Sequence, residues 1–512
     1  MILGYFKRLN EVFGWRFLIY LFFSNMVLKG ILYYLSYPIM LPLFKDILKI
    51  PADDTQIYII TTMIPWTIKP IFGLLSDIIE IRGTHKTLWV YCGMLIGCFG
   101  SGFVFLAYDN LSVVGLTMCF LCIQFEISII DLMSESTYSA ILRDNPSSGS
   151  DIITLTQIYQ TLGALVASGF IGVLADDVLY YVVFIIQCIL AISPLLPTLL
   201  RWLPERTPDT EYEMKPLLES KGKVKCIRIV NSSEYSYKMS IVIVVITLGA
   251  PIIGIIINTR ESLNAKLVGF FIALVLLSII LCLTYFTFLE PDKPNIIFRI
   301  ALYQSISYIS RPSLSSALSY FYTATEECLF DGPHFTFKYY LTYIGIASSL
   351  AYLVGSFLYQ ICMSRLKYRM VLIITTCLSC IGSLTDLFIV SRLNVKIGIS
   401  DDVAFVLGGG ILQPILKTFE YSISSILIAK VVRRGMEGSM VALMSGIVNF
   451  VWMISEIFGA IIYQSAGITT LPPCDFSLLW ILIIVCNVAS PLILNIPAAF
   501  LIPNVSQTVT FD

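Results

Sequence analysis

Four basic side chains, Lys29, Lys69, Arg311 and Lys417, stand inside long apolar runs of this chain. Six acidic ones, Glu126, Asp131, Glu135, Asp386, Glu420 and Glu456, do the same. A charge in hydrocarbon costs roughly 2.5–3.5 kcal/mol on insertion scales, so each must face protein or water. Such groups can bind a charged solute, carry a proton, or lock helices together as internal salt bridges. Lysine and arginine suit carboxylates, and arginine grips them with a planar fork. Asp131 and Glu135 could hold a proton or balance a cation. The only histidines, His85 and His334, lie outside the apolar runs, which argues against histidine catalysis or a histidine metal site there. The pairs Cys119/Cys122 and Cys377/Cys380 fall mid-run and read as small buried thiols. No catalytic constellation, metal site or cofactor site emerges, so the chain is not expected to be an enzyme.

The spacing of the polar residues says more than their number. Asn25 and Lys29 are four apart, and Gln124, Ser128, Asp131 and Glu135 step by four, three and four. Gln304, Ser307, Arg311 and Ser315 repeat that pattern, as do Gln413, Lys417, Glu420 and Ser424. Steps of three and four put each set on one stripe of a helix. Substrate contacts are therefore expected at Lys29, Lys69, Asp131, Glu135, Arg311, Lys417 and Glu420.

The elements that must position these stripes follow from composition. Of 512 residues, 57% are hydrophobic and 13% charged. A soluble chain carries about 25% charged residues, so a soluble enzyme and a disordered protein are both excluded. Apolar runs of about 20 residues mark membrane spans. Six are expected near 16–45, 55–79, 87–107, 111–140, 152–174 and 178–202. Two very apolar ones follow near 239–259 and 265–289. Six more lie near 295–323, 338–361, 369–391, 402–430, 437–463 and 475–500. The polar stretch from Leu203 to Tyr237 has no apolar period and reads as a flexible linker.

The expected architecture is all-α and integral to the membrane, with about fourteen spans. Residues 1–203 form one six-helix bundle, 204–237 a cytosolic linker, 238–290 an inserted lipid-facing hairpin, and 291–512 a second six-helix bundle with a short tail. Two pseudo-symmetric halves suggest a transporter whose polar stripes surround one central cavity. With the N-terminus in the cytosol, 22 lysines and arginines fall on the cytosolic side and 7, Lys266 among them, on the other. That bias sets both termini and the linker in the cytosol. The charged start runs into a full-length span, so no cleavable signal peptide is expected. Net charge is −1, which points to no nucleic acid; the expected partners are a small solute, the lipid bilayer and protons.

After the second span comes Gly73-Leu-Leu-Ser-Asp77 and, further on, Arg82-Gly83. The stretch resembles the G-x-x-x-D-x-x-G-[RK] loop of major facilitator transporters, which makes Asp77 and Arg82 gating candidates. Pro65-Trp66-Thr67-Ile68-Lys69-Pro70, running on to Ser76-Asp77, resembles the signature of the folate–biopterin transporters. Tyr37-Pro38, Ile130-Asp131 with Glu135, Pro312 with Tyr320-Phe321-Tyr322-Thr323, and Gly435-Met436-Glu437-Gly438 with Asn449 are similar to further segments of that family. The resemblance implies a major facilitator fold and alternating access. It implies a folate, a pterin or, as an alternative, S-adenosylmethionine as substrate, with a non-transporting receptor on the same fold as the other reading. A plasma membrane is expected before an organelle.

Folate carboxylates would suit Lys29, Arg311 and Lys417, pterin rings would suit Tyr33, Phe321, Tyr322 and Trp452, and a sulfonium would suit Asp131 and Glu135. Cys328 and Cys474 are the two cysteines expected in loops on the non-cytosolic side, where they are disulfide candidates.

Overall fold

The computed structural model describes residues 2–81, 84–107, 112–144, 149–205, 227–229, 234–258, 262–289, 295–429 and 437–507. Helix dominates because hydrocarbon offers no partner for a free N–H or C=O. An amphipathic helix, α1 (Ile2–Phe13), comes first; it buries Leu9 and Phe13 and exposes Lys7 and Arg8. Sequence patterning did not assign it.

In the first half, α2 is Trp15–Ile47, α3 comprises Ala52–Thr62, Ile64–Thr67 and Lys69–Ile78, and α4 is Thr87–Ala107. Then come α5 (Val113–Ile141), α6 (Asp151–Asp176) and α7 (Tyr180–Leu199). The inserted pair is α8 (Lys238–Asn258) and α9 (Leu263–Thr287). In the second half α10 comprises Ile296–Ile309 and Ser315–Tyr322, followed by α11 (Lys338–Cys362) and α12 (Tyr368–Val390). It closes with α13 (Asp401–Ile428), α14 (Ser439–Ser465) and α15 (Leu479–Leu501).

Among the described residues, 12 helices are long and apolar enough to cross a membrane. The two remaining expected spans, α3 and α10, are broken helices. Pro65 and Pro70 interrupt the first and Pro312 the second, since proline removes an amide donor and clashes with the preceding turn. Freed backbone groups must find other partners in a membrane, and α14 supplies many of them. Asn449 Nδ2 donates to the Trp66 carbonyl at 2.9 Å. The Ser313 N–H donates to the Ser455 carbonyl at 3.1 Å, and Ser455 Oγ to the Arg311 carbonyl at 2.7 Å. So α14, the most buried span, braces one broken helix from each half. It packs along α3, and α6 packs along α11, making the two long seams between the halves.

The hairpin α8–α9 lies against α3 and α14. Leu248, Ile255, Phe271, Val275 and Phe286 are exposed on its outer faces, as a lipid-facing pair requires. Its inner face is not purely apolar. Asn258 Nδ2 donates to Thr61 Oγ1 at 2.7 Å, and Phe270 stacks on Phe458 with centroids 4.8 Å apart. Lys266, which the charge count placed on the non-cytosolic side, is fully buried in the first turn of α9. Its Nζ lies 2.5 Å from Asp53 Oδ2, 2.8 Å from Asp54 Oδ1 and 3.3 Å from Gln464 Oε1. Within the stretch read as a flexible linker, β2 (Ile227–Ile229) pairs antiparallel with β1 (Ile79–Ile81), directly after α3.

Candidate functional site

The polar stripes meet within each half. In the first, Lys29 on α2, Lys69 on α3 and Asp131 and Glu135 on α5 form one cluster. Lys29 Nζ lies 2.9 Å from Asp131 Oδ1, and Lys69 Nζ 2.7 Å from Asp131 Oδ2. Both lysines stand 3.8 Å from Glu135. Two cations and two carboxylates leave the cluster neutral, which lowers the cost of holding charge in the membrane. Lys69 and Asp131 are almost fully buried, whereas the Glu135 side chain keeps 20% of its surface exposed. Lys29 sits where α2 winds in wide π-type turns over Phe22–Leu32, a geometry common at functional sites.

Trp66 organises the neighbourhood. Its ring lies 4.3 Å from Lys69 Nζ and 5.9 Å from Lys29 Nζ, within cation–π range. Its Nε1 donates to Gln124 Oε1 at 3.0 Å. Tyr33 stacks on Tyr37 and meets the Trp66 edge at 6.1 Å between centroids.

The second half repeats the arrangement between α10 and α13. Arg311 NH1 pairs with Glu420 Oε1, which also accepts from Ser379 Oγ at 2.6 Å. Gln304 Nε2 donates to Ser424 Oγ at 2.7 Å. Arg311 stands in the break of α10, one residue before Pro312. Asp386 accepts from Tyr322 OH at 2.6 Å and from Gln413 Nε2 at 2.8 Å. Ser313, Ser315 and Trp452 lie beside the Glu456 side chain. Glu126 is the exception: it is fully buried against α4, and neither carboxylate oxygen has a hydrogen-bond partner among the described residues.

A cavity of about 280 Å³ lies between the halves. Tyr34 of α2 and Gln157, Gln160, Thr161 and Ala164 of α6 line one wall. Ser349, Tyr352 and Ser356 of α11 and Lys417, Thr418 and Tyr421 of α13 line the other. No residue of the hairpin is in that lining. Of the seven residues expected to touch substrate, Lys417 alone lines this cavity. It is exposed there and has no hydrogen bond or ion pair among the described residues. Lys29, Lys69, Asp131 and Glu135 pair inside the first half, and Arg311 and Glu420 inside the second. Tyr421 links the two regions, lying within electrostatic reach of Lys29 and Tyr34. Gln157, Gln160, Tyr352 and Tyr421 were missed in the sequence, where nothing separates them from other polar residues on apolar helices.

The end that carries the N-terminus will be called the near end. There Asp77, at the end of α3, accepts from the Ser439 N–H at 2.9 Å and from Ser439 Oγ at 2.5 Å, at the start of α14. Arg82, the second gating candidate, lies outside the described residues. At the far end Lys45 of α2 donates to the carbonyl and Oγ1 of Thr323, and stands over the rings of Tyr320 and Phe337. Tyr320 OH meets Thr55 Oγ1 at 2.8 Å. Asp176, the last residue of α6, accepts from the Phe337 and Lys338 N–H groups, both at 2.9 Å. Cys328 and Cys474 are joined by a disulfide, with Cα atoms 4.9 Å apart.

Comparison with known proteins follows from this architecture. Residues 29–511 match the profile of the BT1 family. The chain is 22% identical over 463 residues to the probable folate-biopterin transporter 2 of Arabidopsis thaliana, covering 90% of this chain and 78% of that one. It is 24% identical over 442 residues to the folate-biopterin transporter of Synechocystis, covering 86% and 72%. Among solved structures it is similar to the peptide transporter POT in complex with sulfate. There the TM-score is 0.63 and the identity 11%, over 97% of this chain and 96% of that one. That likeness gives the major facilitator fold.

Proposed function

This chain belongs to the BT1 family of membrane transporters, and from that premise we propose that it moves a folate or pterin carrying negative charge by alternating access. One observation carries the reading: Lys417 is a cation on the cavity wall that makes no salt bridge among the described residues, with Asp386 and Glu456 only within longer electrostatic reach. Lys29, Lys69 and Arg311, the other basic side chains expected inside the spans, already have acidic partners. Binding a carboxylate at Lys417 completes an ion pair that the protein leaves open, in a site where water is partly excluded. Gln157 and Gln160 offer amide donors and acceptors to the edge of a pterin, and Tyr34, Tyr352 and Tyr421 offer ring faces.

The first-half cluster is then the coupling element. Glu135 is held at 3.8 Å by both lysines and is the more exposed of the two acids. A proton arriving there would loosen Lys29, whose charge reaches Tyr421 on the cavity wall. The lysine and arginine bias supports a cytosolic near end, with both termini in the cytosol.

The test is uptake of labelled folate and biopterin into vesicles, with counterflow. Lys417→Gln is expected to lose at least tenfold in folate uptake with normal expression and melting, and Lys417→Arg to keep most of it. Glu135→Gln is expected to keep counterflow while losing the response to a pH gradient. Full folate uptake by Lys417→Gln, or uptake of S-adenosylmethionine instead, overturns the substrate reading.

A further inference from the structure

The two seams between the halves end in the same device, used once at each end. At the near end, Asp77 belongs to the last turn of α3 and accepts from the first turn of α14. At the far end, Asp176 is the last residue of α6 and accepts from the amide of Phe337, which caps α11, and from that of Lys338, which begins it, one on each carboxylate oxygen. In both cases the acid comes from the first half and the amides from the second. The helices of each pair run antiparallel, and the two pairs point in opposite directions through the membrane.

Both aspartates are misplaced for their own helices. A carboxylate is unfavourable at a helix C-terminus, where carbonyls already gather negative charge, and favourable at an N-terminus. Each therefore prefers the partner helix docked, where it satisfies amides that have no partner within their own helix. Undocking returns it to the wrong end of its own helix. This is a contact with differential free energy between two arrangements, which is what a switch requires. The close approach at the far end is built in: a side chain at Gly172 would meet the Phe337 carbonyl at 2.3 Å, and the Gly172 N–H donates to Thr342 Oγ1 at 3.0 Å.

We propose that Asp176 is the far-end latch, the inverted counterpart of Asp77, and that the two set the balance between the mouths. Releasing Asp176 frees α11 from α6 and favours the far-open form. Releasing Asp77 frees α14 from α3 and favours the near-open form. In this structure both contacts are made. The inference rests on the alternating-access reading above and adds a residue that no sequence motif marks.

Hydrogen exchange on the full-length protein in lipid nanodiscs, read by mass spectrometry, tests it without altering the native cysteines. Asp176→Asn is expected to raise exchange at the far end, over 45–56 and 320–345, and to lower it at the near end, over 439–449. Asp77→Asn is expected to do the reverse, each by about tenfold, equivalent to 1.4 kcal/mol of population shift. Asp176→Glu should stay close to wild type, and Asp77→Asn with Asp176→Asn together should return toward its balance. A purely structural cap would change exchange at 337–342 and nowhere else; that outcome refutes the latch. Added folate separates the two layers of inference. If folate moves both ends in the wild type while Asp176→Asn leaves the near end unchanged, only the latch fails. If neither folate nor either variant moves the opposite end, alternating access itself fails.

Discussion

Gly459→Ala should be among the most damaging single-methyl substitutions in the molecule. Gly459 lies on α14 where that helix crosses the break in α10. A Cβ there would sit 1.8 Å from the Ser313 carbonyl oxygen, 2.6 Å from its carbon and 2.8 Å from its nitrogen. Non-bonded heavy atoms settle near 3.5 Å, so the α10 backbone must withdraw by roughly 1.5 Å. That displacement breaks the Ser313 N–H to Ser455 bond and the bond from Gln56 Nε2 to the Ser313 carbonyl at 3.0 Å. Overpacking alone costs about 1–3 kcal/mol. Each buried backbone group left without a partner adds about 1–3 kcal/mol. Replacing glycine by alanine inside a helix returns only about 1 kcal/mol. The net effect is a loss of about 3 kcal/mol or more, with transport lost as Arg311 shifts away from Glu420. The assay is thermal unfolding of the purified full-length protein beside a control, Gly169→Ala in α6, whose added methyl meets nothing within 4 Å. The control should hold or gain stability. A Gly459→Ala protein that melts at or above wild type would refute the reasoning about the braced break.

Three further outcomes follow from the described contacts. Lys266→Met removes the buried cation that Asp53 and Asp54 share, and should destabilise by about 3–5 kcal/mol; adding Asp53→Asn and Asp54→Asn should recover most of that loss in the same melting assay. Arg311→Met and Glu420→Gln should each harm stability more than their combination does, with a coupling of about 1–3 kcal/mol in a double-mutant cycle; strictly additive effects would show that the pair does not act as one. Peptide mapping of unreduced protein should recover a fragment joining Cys328 to Cys474, and Cys328→Ser should leave Cys474 open to maleimide; two free thiols in the unreduced wild type would remove the bond.

The spans were legible because a membrane permits little besides long apolar helix, and their ends fall close to where the hydropathy changes. The breaks in α3 and α10 were hinted at by Pro65, Pro70 and Pro312, but not the means of repairing them. Ser455, Asn449 and Gly459 do that from the far end of the sequence, and periodicity within one helix carries no signal of which other helix it will meet. For the same reason the polar stripes announced that Lys29, Asp131, Arg311 and Glu420 face protein, without announcing that each stripe closes on its neighbour in its own half. The burial of Lys266 was not legible, because a lysine beside an apolar run usually marks a water-facing end. Its acids, Asp53 and Asp54, sit at the head of α3 and look equally solvated. Asp176 carried no motif, and its meaning rests entirely on the amides placed opposite it.

Lys266 also bears on how the protein is made. Asp53 precedes it by 213 residues and Gln464 follows it by 198. In order of synthesis Asp53 and Asp54 at the head of α3 come first. The hairpin arrives next and neutralises them, and only afterwards does α14 complete the site. One buried lysine thus ties together three parts of the chain that are synthesised at well-separated times. A chain lacking 238–290 loses that tie, and Asp53 and Asp54 lose their bonds to Lys266.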